Sequence, residues 1–178
     1  LRGIVAVDPA GCSGEEDTRS DEIGIVVAAL GTDNHGYLLE DLSGRYKPEV
    51  WGDIAASAYH RHKADKIVAE RNLGGAMVEA VIRAADPNVP YGELVASRGK
   101  AVRAEPISSL YEQGKIHHIG YFPELEDQMC AMSVSGYQGL KSPDRADALV
   151  WAFSELFPAI IRKPRDRKKL KSNITGIV

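Results

Sequence analysis

Gly3-Ile4-Val5-Ala6-Val7-Asp8-Pro9-Ala10 is the stretch on which the fold turns. Apolar, mostly β-branched residues run straight into a carboxylate, and a proline follows at once. A short apolar run bounded by turn residues predicts a buried strand. Pro9 has no N–H to give to a ladder, so the strand should end near Asp8. An acid at the end of a buried strand is costly unless a cation meets it. Alone, the stretch fits an ordinary cap or loop aspartate better than anything sharper, so its meaning depends on what joins it.

Outward from there, Ile23–Leu30 and Tyr37–Leu42 predict two further strands, linked by Thr32-Asp33-Asn34-His35-Gly36 with the residues tight hairpins favour. Pro48 suits a first helical turn, and Val50, Ile54, Ala55, Ala58 and Tyr59 follow at helical spacing to about His62. Lys66–Glu70 predicts a fourth strand that also ends on an acid. Met77, Val78, Val81 and Ile82 mark a helix ending before Asp86-Pro87. Glu93–Ser97 is expected to be a fifth strand, and Pro106–Gln113 a helix stopped by Gly114. Ile116–Ile119 reads as short and extended, and Pro123–Met132 as helical. Ser142–Phe157 is the clearest helix, with Ser142 as N-cap and Pro143 as first residue. The expected architecture is α/β: a mixed five-stranded sheet, three antiparallel strands and then parallel ones, with helices on both faces. Crossover handedness places the fourth strand beside and parallel to the first. Asp8 and Glu70 then share one carboxyl edge, where open α/β sheets build their sites.

Asp144 and Asp147 are three apart on the last helix and so share a face. Asp144 falls in the first turn, where the helix dipole already suits an anion. Asp147 stands among Ala146, Ala148, Leu149 and Ala152, the residues of a packed face. Metal ligation and a buried salt bridge both answer an acid there. Carboxylates without matching histidines offer oxygen-only coordination, which suits Mg²⁺ or Mn²⁺. Two such ions, about 3.5–4 Å apart, can hold the attacking water and the leaving oxygen of a phosphodiester. Asp8 would then bridge, Glu70 would hold one ion, and Asp144 with Asp147 the other.

At 178 residues, 44% hydrophobic and 26% charged, the chain has the size and composition of one globular domain. No membrane-length apolar run and no signal peptide are present. Leu1 precedes a strand almost directly, so the expectation is a domain of a longer polypeptide. Cys12 and Cys130 lack metal-ligand spacing, as do His60, His62, His117 and His118, which argues for free thiols and against zinc. The net charge of −3 is uneven. Between Arg162 and Lys171 there are seven bases and one acid; the rest of the chain keeps 15 bases and 24 acids, a net −9. Residues 1–161 are therefore expected to form the domain, and 162–178 a flexible basic tail for DNA or an acidic partner.

The ordered set Val7-Asp8-Pro9-Ala10, Val68-Ala69-Glu70-Arg71-Asn72 and Pro143-Asp144-Arg145-Ala146-Asp147-Ala148-Leu149 resembles the RNase H-like nuclease superfamily. Within it, the chain is most similar to the C-terminal nuclease domain of tailed-phage terminase large subunits. Ser20–Val26, Lys100–Pro106 and Ser109–Ile116 extend the match. The resemblance implies a metal-dependent endonuclease that cuts concatemeric viral DNA during packaging in the host cytoplasm, with portal protein and small terminase subunit as partners. It carries the acidic site onto Asp8, Glu70 and Asp144, with Asp147 matching the extra acid of related resolvases. The N-terminal ATPase motor of such proteins has no counterpart here, since Gly99-Lys100 is followed by Ala101 rather than Ser or Thr. Arg71, Lys100, Arg103 and Lys115 are the expected contacts to double-stranded DNA along the carboxyl edge. Three competing readings are a junction-resolving nuclease of the same superfamily, a non-catalytic docking module, and an actin-like phosphotransferase. The last lacks its Asp-x-Gly-Thr loop, because Asp8-Pro9-Ala10-Gly11 stands in its place.

Overall fold

The computed structural model describes residues 1–9, 22–71, 75–96, 99–133, 136–139 and 142–161. Its centre is a six-stranded sheet in the order β5-β4-β1-β2-β3-β6. The strands are β1 (Arg2–Pro9), β2 (Ile23–Leu30), β3 (Gly36–Asp41), β4 (Lys66–Glu70), β5 (Tyr91–Leu94) and β6 (Ile116–His118). β2 runs antiparallel to both β1 and β3, whereas β4 is parallel to β1, β5 to β4, and β6 to β3. The predicted place of β4 beside β1 is borne out. The sheet has one strand more than expected, because the extended Ile116–His118 pairs with Gly36–Leu38.

The helices are α1 (Pro48–His62), α2 (Gly75–Ala85), α3 (Lys100–Glu112), α4 (Pro123–Cys130), α5 (Asp144–Leu156) and the short α6 (Pro158–Ile161). A two-residue hairpin, β7 (Met132–Ser133) with β8 (Gly136–Tyr137), sits between α4 and α5. β1 is buried on both faces, as a strand covered by helices on either side must be, which is why it reads as an unbroken apolar run. Alternation then sorts its side chains. Val5 and Val7 pack with Ile25, Val27, Ile67, Trp51 and Val78 under α1 and α2. Ile4 and Ala6 pack with Val26, Ala28, Val68, Leu149 and Phe153 under α5.

Four expectations shift. α3 starts six residues before Pro106, which lies inside it. That proline costs one backbone bond, yet the first turn is held by ion pairs from Lys100 and Arg103 and by Ala104 against the core. β5 begins at Tyr91 and ends at Leu94, because its ladder runs along β4 and β4 ends at Glu70. In α1 the expected Ala55 and Ala58 are buried and Ile54 and Tyr59 pack against the same core, joined by Trp51, Gly52 and Ala56, while Val50 faces solvent. The N-cap of α5 is Pro143 rather than Ser142, and the Gln128 side-chain oxygen accepts from the N–H groups of Arg145 and Ala146 at 3.0 and 3.2 Å. Among the described residues no helix is long and apolar enough to cross a membrane. Cys130 is a free, exposed thiol. Cys12, the Gly11–Ser20 loop and the 162–178 tail lie outside the described residues.

Candidate active site

Alternation along two neighbouring parallel strands is what assembles this site. Asp8 has the same parity as Ile4 and Ala6, and Glu70 the same parity as Val68, so both acids share the α5-facing side. β1 and β4 are in register from Ile4↔Lys66 to Val7↔Ala69, and one further step sets Asp8 beside Glu70. The first turn of α5 brings Asp144 and Asp147 over the same strand ends. Gly24, opposite Asp8 on β2, permits that approach: a Cβ there would stand 2.0 Å from the Asp144 carbonyl oxygen and 3.0 Å from the Ala148 Cβ. No other residue type leaves room for the helix at that point.

Asp8, Asp144 and Asp147 are almost fully buried, at 4%, 2% and 1% exposure. Burial pushes the Asp8 carboxyl well above the usual range, and the charges of Asp147, Asp144 and Glu70 push it further, against the pull of Lys100. Each of the other three acids is thus close enough to act on Asp8. Asp147 is also raised by burial, although Lys100 and Arg103 hold it back.

Two cations from α3 answer this charge. Lys100 forms an ion pair with Asp147 and donates to Ser142 Oγ at 3.4 Å. Burial acts to lower the Lys100 ammonium, but Asp147, Asp8 and Asp144 outweigh it and hold the group above its ordinary value. Arg103 donates to Glu70 Oε1 at 3.3 Å and lies 3.9 Å from Asp147 Oδ1. Its guanidinium is 4.3 Å from the centre of the Trp151 ring, and the Trp151 indole N–H donates to Glu70 Oε2 at 3.1 Å. Both Glu70 oxygens are therefore engaged. Arg145 points away, to Glu22 and Asp41 at 3.0 and 2.7 Å.

Of the four expected phosphate contacts, Lys100 and Arg103 sit among the acids themselves. Arg71 follows β4 at the same edge and lies 3.7 Å from Glu93. Lys115 is not at this edge. Its carbonyl accepts from Gly36 N–H, where β3 and β6 begin, so it stands at the opposite end of the sheet, 3.4 Å from His35. The expectation misplaced it because a sixth strand carries the chain between α3 and the site. Gly24, Gln128 and Trp151 were not singled out in the sequence. Trp151 had a usable signal: it lies four residues after Asp147, on the same helix face.

Among the described residues, no three or more histidine, cysteine, aspartate or glutamate side chains are so placed as to hold one metal ion. The acids are instead drawn to Lys100 and Arg103. The donor set itself, four carboxylates with no thiol or imidazole, still fits a hard divalent cation.

A family described as the terminase RNaseH-like domain matches residues 5–156. No curated protein matches the chain. Among solved structures, the chain is similar to the nuclease domain of the large terminase subunit gp2 of bacterial virus Sf6, solved with manganese and beta-thujaplicinol. There the TM-score is 0.58 and the identity 14%, over 93% of this chain and 90% of that one. The large terminase nuclease from thermophilic phage G20c with bound magnesium gives a TM-score of 0.54 at 18% identity, covering 86% and 81%. Thermus thermophilus RuvC in complex with a Holliday junction substrate gives 0.51 at 11% identity, covering 89% and 96%. At such identities these likenesses speak for the RNase H-like fold.

Proposed function

The chain belongs to the terminase RNaseH-like domain family, and on that premise we propose that it is a metal-dependent endodeoxyribonuclease that cuts concatemeric viral DNA during packaging. The observation that carries this reading is the placing of Asp8 beside Glu70 at one sheet edge, with the first turn of α5, which bears Asp144 and Asp147, packed against it. Structures with manganese and with magnesium in similar nuclease domains support the choice of ion.

Once Lys100 and Arg103 gave way, Asp8 with Asp144 or Asp147 would hold the divalent ions, and Glu70 could join them. Two bound ions would supply Lewis-acid activation of water and neutralise charge building on the phosphodiester. The protein's own contribution is preorganisation. Gly24 lets α5 close on the strands, and burial keeps the acids out of bulk water. Arg103, stacked on Trp151, fixes the Glu70 carboxylate. Lys100 neutralises Asp147. The full packaging role brings in an N-terminal ATPase domain, a portal protein and a small terminase subunit as partners, with the 162–178 tail as a contact to DNA or to an acidic partner protein.

Plasmid nicking and linearisation in Mn²⁺ test the reading. Wild-type protein should cut and Asp8→Asn should not. Absence of cleavage by folded wild-type protein at high concentration would favour a docking module. A four-way junction cut much faster than linear duplex would favour a junction resolvase.

A further inference from the structure

A nuclease whose nearby cations are consumed by its own acids needs other groups to hold the DNA backbone. Arg71, Lys100 and Arg103 each face a carboxylate. We infer that Arg45 and Lys47, on the segment joining β3 to α1, form a phosphate-binding ledge that positions DNA over the acids. The inference rests on the nuclease reading and adds a surface to it.

Three observations place the ledge. First, Gly44 is tied to the head of β2 by a reciprocal pair of backbone bonds with Ile23, at 2.8 and 3.1 Å. Ile23 in turn pairs with Pro9, the residue after Asp8. The segment therefore lies at the carboxyl edge, two strand spacings or about 10 Å from the end of β1. A DNA strand covers that distance in about three nucleotides at a rise of 3.4 Å each. Second, the segment is fixed rather than loose. Tyr46 packs into the α1/α2 core, and its ring sits so near Gly44 that a Cβ there would lie 2.6 Å from it. Lys47 is extended (φ −71°, ψ 157°) and leads directly into Pro48 of α1. Arg45 and Lys47, on either side of the anchored Tyr46, are both exposed. Third, neither forms an ion pair among the described residues, while Glu22 and Asp41 are held by Arg145.

Fluorescence anisotropy of a labelled linear duplex across a salt series tests this, with Asp8→Asn in every protein to prevent cleavage. Adding Arg45→Ala and Lys47→Ala should weaken binding at least about tenfold near physiological salt and lower the slope of log K against log salt by about two. Lys63→Gln, an exposed cation at the other edge, should change neither. In the cleavage-competent protein the double substitution should raise KM and leave kcat and melting temperature in place. An unchanged salt slope with DNA bound normally would overturn the ledge and leave the nuclease reading standing. No DNA binding by any of the proteins would overturn both.

Discussion

The two faces of β1 are built from alternate residues of one short strand, yet they do different work. On the α1/α2 face, Val5 and Val7 are enclosed by Trp51, Ile25, Ile67 and Val78, and the apolar contact runs the whole length of the strand. On the α5 face, Ile4 and Ala6 begin the same way and Asp8 ends it, beneath Asp144 and Asp147. One face is paired apolar surface whose loss costs stability. The other ends in like charges packed together and held by Lys100 and Arg103. A change of one residue along the strand moves a substitution from the first category to the second.

The largest contrast should come from Asp8 and its neighbour. Asp8→Asn should lower Mn²⁺-dependent plasmid cleavage by about 10²–10⁴-fold, as loss of a metal-site or oxyanion-stabilising group does in other enzymes, while the fold survives. Val7→Ala should instead cost about 2 kcal/mol in denaturant melts and leave cleavage per folded molecule nearly intact. If the two variants lose activity alike, the division between the faces is wrong.

Gly24→Ala joins the two effects. Its methyl group would meet the Asp144 carbonyl, so α5 must shift. A stability loss of about 1–3 kcal/mol is expected, with cleavage falling by more than unfolding explains. A variant of normal activity would mean that α5 need not lie so close.

Lys100→Met should destabilise the metal-free protein by about 1 kcal/mol, less than for a fully buried pair, because about half of the Lys100 side chain is in water. Mn²⁺ should then raise the melting temperature of this variant more than that of the wild type. An equal rise would show that Lys100 does not compete for the acids.

The smallest effect is on pH dependence. Asp8 and Asp147 have raised carboxyl pKa values in the folded protein, chiefly through burial. The folded state therefore holds protons that the unfolded chain has released, and stability falls as pH rises above the ordinary aspartate range toward the folded values. Metal-free protein should melt lower at neutral pH than in mild acid, and Asp8→Asn should flatten that dependence. A melting temperature that instead rises over this range would go against a strained acidic cluster.

Much of this is legible in the sequence alone. Ile23–Leu30, Pro48–His62 and Lys66–Glu70 have the boundaries their patterns predict, since periodicity and turn residues agree in each. The carboxyl edge followed from handedness alone, and the meeting of Asp8 with Glu70 from two strands that each end on an acid. What was hidden depended on partners distant in the chain. A three-residue run such as Ile116–His118 becomes a strand only because β3 offers it an edge, and with that the place of Lys115 changes. Pro106 pointed to a helix start, but ion pairs to Asp147 and Glu70 draw the helix six residues further back. Gln128 caps α5 from another helix, which no local capping rule reveals. Gly24 carries no signal within its strand, yet a Cβ there would strike the Asp144 carbonyl of α5.

The chemistry of this edge turns on whether these acids take up metal. Crystals soaked in Mn²⁺, with the ion located by its anomalous signal, answer that directly. Manganese bound to Asp8 with Asp144 or Asp147, and Lys100 moved off Asp147, is the predicted result. Manganese absent from this edge, with Lys100 still paired to Asp147, would contradict it.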